Sequence, residues 1–156
     1  ADACRLPVAS ASLDRVLAVE CIFHFPSRAA FLKEAARVLK PGGLFALSDF
    51  VPWHGGRRSS GGVGFIERQV AKGYGTQGRG WSEGSYADMA RAAGLEIVVD
   101  RDITRQTLPT YPILMRLLSS GGMERDKSPM VWPTRLLWLG SWLGAVRYRV
   151  MSFRKP

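Results

Sequence analysis

The chain has 156 residues, 46% hydrophobic and 22% charged, which suits one domain with a substantial core and argues against two. Two cysteines, Cys4 and Cys21, are too few for a disulfide framework, and no Cys/His cluster has metal-ligand spacing, so no metal is expected and a reducing cytoplasm is the expected compartment. The net charge of +9 would suit an acidic partner, but 17 of the 22 basic residues are arginines scattered over positions 5–154, which fits a solvated basic surface better than a nucleic-acid groove.

No charged-then-apolar progression opens the chain, so no signal peptide is read. The longest apolar stretch, 136–146, is about half the ~20 residues a membrane span needs. Residues 13–20, with Leu13, Val16, Leu17, Ala18 and Val19, predict a strand buried on both faces of a parallel sheet. Ser27 can then cap a helix whose apolar Ala30, Phe31, Ala35, Val38 and Leu39 recur at helical spacing, with Arg28, Lys33, Glu34 and Arg37 expected in solvent. Lys40-Pro41-Gly42-Gly43 stops that helix, and residues 44–47 form a second strand ending at Ser48-Asp49, so the unit reads as a right-handed parallel crossover.

Nine glycines between positions 52 and 80 predict a mobile lid over 53–80, with a short helix at 63–72. Ser82 is expected to cap a helix bearing Tyr86, Met89, Ala90 and Ala93, ended by Gly94, before a strand over 95–102. Two apolar helices, 109–119 and 133–144, fall within an insertion spanning 109–145. Alternation over 148–153 predicts a closing strand near the sheet edge. Trp138 and Trp142 share a helix face between Arg135 and Arg147, which leaves open a peripheral membrane contact; apolar residues here, Tyr111 among them, serve equally as core or as a pocket wall for substrate.

Taken in order, Asp2-Ala3, Leu6-Pro7, the 13–20 strand, Arg37-Val38-Leu39-Lys40-Pro41-Gly42-Gly43 and the strand ending at Asp49 resemble the second half of the cofactor domain of class I S-adenosylmethionine-dependent methyltransferases. The likeness is tight over residues 2–49 and looser over 81–102, and it is nearest to small-molecule enzymes of the sterol, tocopherol and phosphoethanolamine type. It implies a Rossmann-like α/β fold with a mostly parallel sheet, a closing antiparallel edge strand and helical insertions. Residues 1–156 would form a single partial domain without the N-terminal glycine-rich half, so this chain alone should hold its cofactor, S-adenosylmethionine, poorly. The implied reaction is methyl transfer to a small-molecule acceptor, O-methylation being preferred over C- or N-methylation.

Residue by residue, the resemblance places Asp2 on the adenine amino group, the Ala3 N–H on the ring, and Val19 and Glu20 beside the cofactor at a strand's carboxyl end. The Glu20-x-x-x-His24 spacing matches an arrangement that sets the histidine over the transfer site, where it would take the acceptor's proton. The plainer readings are a loop-capping Asp2 and a His24 packed between loop and helix. Asp49, His54 and Tyr111 are expected on the acceptor side. Two other classes share features of the chain: a non-catalytic basic nucleic-acid-binding domain, which lacks any recognisable motif here, and a nicotinamide-dependent reductase half-domain, for which no Tyr-x-x-x-Lys pair occurs. The oligomeric state leaves no mark on the sequence.

Overall fold

The computed structural model describes residues 2–52, 68–69, 84–120 and 130–156. Its four-stranded sheet consists of β1 (Leu13–Val19), β2 (Leu39–Pro52), β3 (Glu96–Asp102) and β4 (Val146–Arg154), in the order β1-β2-β4-β3. β1 and β2 are parallel and joined by α1 (Arg28–Val38), which is the crossover expected. β4 is antiparallel to β3. The Gly42 N–H donates to the Lys155 carbonyl at 2.8 Å and the Lys155 N–H to that of Gly43 at 3.0 Å, so the start of β2 meets the end of β4. Three strands therefore point one way and the last opposes them. The closing strand lies inside the sheet, however, and the edge falls to β3, all seven of whose residues are exposed. Alternating apolar positions report the two faces of a strand but not its lateral neighbours.

The described residues gather into two units, one of residues 2–50, 84–102 and 149–156, the other chiefly of residues 103–148. In the first, Ser27 opens α1 as expected, its hydroxyl accepting the Ala30 N–H at 3.1 Å. The inner face of α1 packs Phe31, Leu32, Ala35 and Val38 into the core. There Phe25, Phe31, Phe45 and Phe153 form a chain of aromatic contacts with centroids 4.8–5.5 Å apart. α2 (Tyr86–Ala92) closes the same core, and Gly94, at φ +71°, ends it. Its cap is Ser85, which accepts the Asp88 N–H at 3.2 Å, and not Ser82, which lies outside the described residues.

β1 departs from the expectation of burial on both faces: Leu17 is 72% and Val19 58% exposed, and only Ala18 is buried. Leu17 and Val19, two residues apart, share one face of the strand, and that face is left uncovered. Glu34 and Arg37 depart in the opposite sense. Glu34 accepts the Leu6 N–H at 2.7 Å, and Arg37 donates to Glu34, to the carbonyls of Leu6 and Val8 and to Ser10 Oγ, stapling the N-terminal segment onto α1. Hydrogen bonds from Arg37, opposed by partial burial and aided by the Leu6 N–H, hold the Glu34 carboxyl below its ordinary 4.5.

The Lys40-Pro41-Gly42-Gly43 turn does more than end a helix. Leu13 pairs with Leu39 and Arg15 with Leu44, so four residues bulge opposite Asp14 alone. Gly42 sits at φ +77°, and a Cβ on Gly43 would meet the Lys40 carbonyl oxygen at 2.8 Å and that of Asp14 at 3.3 Å.

The second unit contains α3 (Thr104–Thr107), α4 (Thr110–Ser120) and α5 (Val131–Trp142). The single turn α3 has no apolar periodicity and was not legible in advance. α5 begins two residues before the expected Pro133, which sits in its first turn, where a missing N–H costs nothing. α4 packs on α5, with Tyr111 buried between them and its hydroxyl 3.3 Å from Ser141 Oγ. Thr104 Oγ1 accepts the Tyr148 N–H at 2.9 Å, tying α3 to the start of β4. The glycine-rich lid over 53–80 and its 63–72 helix fall outside the described residues apart from Arg68 and Gln69, which are helical.

Two stability measurements check this account. Gly42→Ala should cost about 1–2 kcal/mol through its left-handed backbone, and Gly43→Ala should lower the urea midpoint further, because its Cβ meets backbone that cannot yield. Stabilisation from the depressed Glu34 carboxyl is complete above its unfolded value of 4.5 and is lost as pH falls through the lower folded value, so Glu34→Gln should flatten the acid limb of a stability-against-pH curve.

Candidate functional site

The site is assembled where β1 and β2 end. Val19 pairs with Ser48, and the Glu20 N–H donates to the Ser48 carbonyl at 3.3 Å, so the chain leaves the sheet at residue 20. Glu20 adopts φ +47°, a left-handed conformation that turns the backbone sharply into a 3-10 turn at Ile22–His24. Ile22 is fully buried and anchors the turn, while Glu20 and His24 are exposed on it. The His24 ring lies against Phe23, with centroids 4.4 Å apart.

Asp2 joins the same rim. Its Oδ1 accepts the Cys4 N–H at 2.8 Å and its carbonyl the Arg5 N–H at 2.9 Å, making a tight exposed turn. Cys4 Sγ donates to the Ser27 carbonyl at 3.5 Å, which sets this turn beside the start of α1, three residues after His24. Asp2, Glu20 and His24 are thus gathered at one end of the sheet. The local bond to Cys4 is also the loop-capping arrangement weighed for Asp2 on sequence, and an exposed carboxylate beside it can do both.

Asp49 and Tyr111 are both buried. Asp49 is wholly buried: its Oδ2 accepts from Arg28 Nε at 2.8 Å and from the Tyr86 hydroxyl at 2.7 Å, and Arg28 Nε also reaches the Tyr86 oxygen at 3.3 Å. Tyr111 spends its hydroxyl inside the α4–α5 contact. His54 lies outside the described residues. Arg28, expected in solvent, is 4% exposed. One signal pointed to it: a cation in the first turn of a helix faces the positive end of the macrodipole and needs a carboxylate.

The electrostatics follow from this burial. Burial alone would lower the Arg28 guanidinium, but the charge of Asp49 and the contact with Tyr86, with hydrogen bonds to both, more than offset it and hold it above its ordinary value. Burial and then the Asp49 charge push the Tyr86 phenol well above its usual range, with Arg28 opposing. Cys21, between Glu20 and the 3-10 turn, is raised by burial and by Asp49, so its thiol stays protonated at neutral pH. Asp49 Oδ1 and Ser48 Oγ are buried with no hydrogen-bond partner among the described residues.

A methyltransferase-domain family model matches residues 1–47, the stretch holding the Asp2 turn, β1, the 3-10 turn and α1. The chain is 34% identical to the methyltransferase GfsG of Streptomyces halstedii over 81% of its own length and 47% of that protein's. It is 38% identical to 27-O-demethylrifamycin SV methyltransferase of Amycolatopsis mediterranei over 71% of its length and 39% of that protein's. The structure of geranyl diphosphate C-methyltransferase from Streptomyces coelicolor, with S-adenosyl-L-homocysteine bound, superposes with a TM-score of 0.75 at 16% identity, covering 100% of this chain and 53% of that one. The family model identifies residues 1–47 as part of a methyltransferase domain, and the superposition shows that the chain has the α/β fold of class I S-adenosylmethionine-dependent methyltransferases. The chain spans less than half the length of the two relatives compared by sequence.

Breaking the buried cluster should be costly in a graded way. Asp49→Asn leaves a buried guanidinium without its counter-charge and should cost about 3–5 kcal/mol. Tyr86→Phe removes one hydrogen bond and should cost about 1–2 kcal/mol. Urea unfolding of the two variants would report both, and equal losses would show that the ion pair is not the dominant contact.

Proposed function

We propose that this chain is part of an enzyme that transfers a methyl group from S-adenosylmethionine to a hydroxyl of a small, partly apolar acceptor. The observation that carries the reading is the exposed Glu20–His24 turn, rooted by Ile22 at the carboxyl end of a parallel strand and flanked by the Asp2 turn. The donor set fits the cofactor. Asp2 offers an exposed carboxylate next to a backbone donor, which complements the adenine edge, and exposed Val19 offers an apolar strand end for the ring.

When bound, the cofactor supplies an electrophilic sulfonium methyl, so what remains for the protein is alignment of the acceptor and removal of its proton. His24 takes that proton at its imidazole, and Glu20, four residues earlier on the same turn, stands with it on the acceptor side. Asp49, set behind the rim, supports rather than contacts the acceptor. Preference for oxygen over nitrogen rests on the need for a base, which a hydroxyl has and a free amine does not. The 27-O-demethylrifamycin enzyme, named for an oxygen position, supports that choice. Residues 109–145 would be an insertion within one methyltransferase domain. Two cysteines outside any disulfide accord with a cytoplasmic setting, and no helix among the described residues is long and apolar enough to cross a membrane.

In the protein carrying this chain, His24→Ala should lower kcat for hydroxyl acceptors by about 10²–10⁴-fold while leaving KM for S-adenosylmethionine unchanged, and Asp2→Ala should raise that KM. An unaltered kcat in the His24 variant would remove the proposed base. Titrating S-adenosylhomocysteine into residues 1–156 alone should show binding weaker than about 1 μM, since much of what the relatives contain lies outside the matched stretch.

A further inference from the structure

We propose that the outer face of α5, together with exposed residues of α4, is a docking surface for an anionic lipid bilayer. The argument does not depend on the methyl-transfer reading. α5 buries Val131, Leu137, Gly140 and Ser141 on its inner side. Its outer side is also apolar: Trp132, Leu139, Trp142 and Leu143 are 55%, 42%, 62% and 64% exposed. Their spacing of 7, 3 and 1 puts them, with exposed Arg135, on one stripe. α4, packed against α5, adds Ile113 and Leu117, exposed and one turn apart. A helix apolar on all sides requires cover on the second face.

Length and charge select the cover. The twelve residues of α5 extend about 18 Å at 1.5 Å per residue, little more than half the hydrocarbon thickness, so the helix lies in the interface rather than across it. Two tryptophans on that face suit the headgroup boundary, where an indole buries its ring and keeps its N–H wet. The stretch 103–148 carries six basic residues against two acidic ones, and the acidic pair, Glu124 and Asp126, lies outside the described residues. Every charged residue described within 103–148 is an arginine, and two of them are exposed among the apolar residues of this face, Arg135 on the α5 stripe and Arg116 between Ile113 and Leu117 on α4. That pattern complements phosphate headgroups. A second copy of a chain with net charge +9 would instead be repelled at the same face.

The test is co-sedimentation of the full 156-residue chain with phosphatidylcholine vesicles and with vesicles that are about one-third phosphatidylglycerol, with tryptophan emission as a second readout. The anionic vesicles should retain the protein, blue-shift its emission and release it as salt rises; the neutral ones should not. Trp142→Ser with Leu143→Ser should weaken retention about tenfold or more. Ile113→Ser on α4 gives an independent reading should the α5 variant lose its helical circular dichroism. Three vesicle results would overturn the proposal: no retention of the parent chain on anionic vesicles, equal retention on neutral ones, or retention that neither variant reduces. A change in sedimenting mass without a change in vesicle binding would assign the face to protein association and also overturn it.

Discussion

One carboxylate oxygen, Asp49 Oδ2, holds three pieces of chain together. Arg28 belongs to the first turn of α1, Asp49 to the far end of β2 and Tyr86 to the start of α2, and all three meet at that atom in a dry interior. Hydrophobic residues of the same shape would fill the space at comparable or lower energy, so the net stability gained from such a buried pair is small. What the arrangement supplies is a single geometry, because any slippage leaves a buried charge or phenol without its partner. The 3-10 turn with His24 ends four residues before Arg28, and its position is fixed from that side by the ion pair and from the other by β1. Beneath it, the stacked rings of Phe45 and Phe153 supply the area burial that the polar cluster does not.

That division explains why some of the fold could be read from residues and some could not. Ser27, Gly94 and the Lys40-Pro41-Gly42-Gly43 turn act on their own backbone within a few residues, and each was legible as a start or a stop. Arg28, Glu34 and Arg37 looked alike as charges on a helix. The first is buried on Asp49 and the other two bind the segment over 6–10, distinctions made by chain far away in sequence. β4 showed its alternation, but lateral order within a sheet is a property of the whole topology, and the strand took an interior place. Ser82 and Ser85 are equally good caps by type, and the choice between them fell to the packing of Tyr86 into the core.

The candidate site divides in the same way. Asp2, Glu20 and His24 came from a family resemblance, and backbone placement alone carries them to one rim. Asp49 sat at the end of the expected strand, where a ligand contact and an internal anchor look identical in sequence; its partners Arg28 and Tyr86 lie 21 and 37 positions away. Tyr111 had the amphipathic character of a pocket wall, but the hydroxyl of Ser141 made it an interior residue.

The outward side of β1 has a consequence for handling the molecule. Leu17 and Val19 project from a strand that has a neighbour on only one flank among the described residues, so a row of peptide N–H and carbonyl groups accompanies apolar side chains. Such a margin is a template for any extended segment that drifts past, including another molecule of the same kind. In a polypeptide limited to residues 1–156 that margin is where an added β-segment would cover open peptide groups and apolar side chains together, with the repulsion between chains of net charge +9 opposing addition of a second copy.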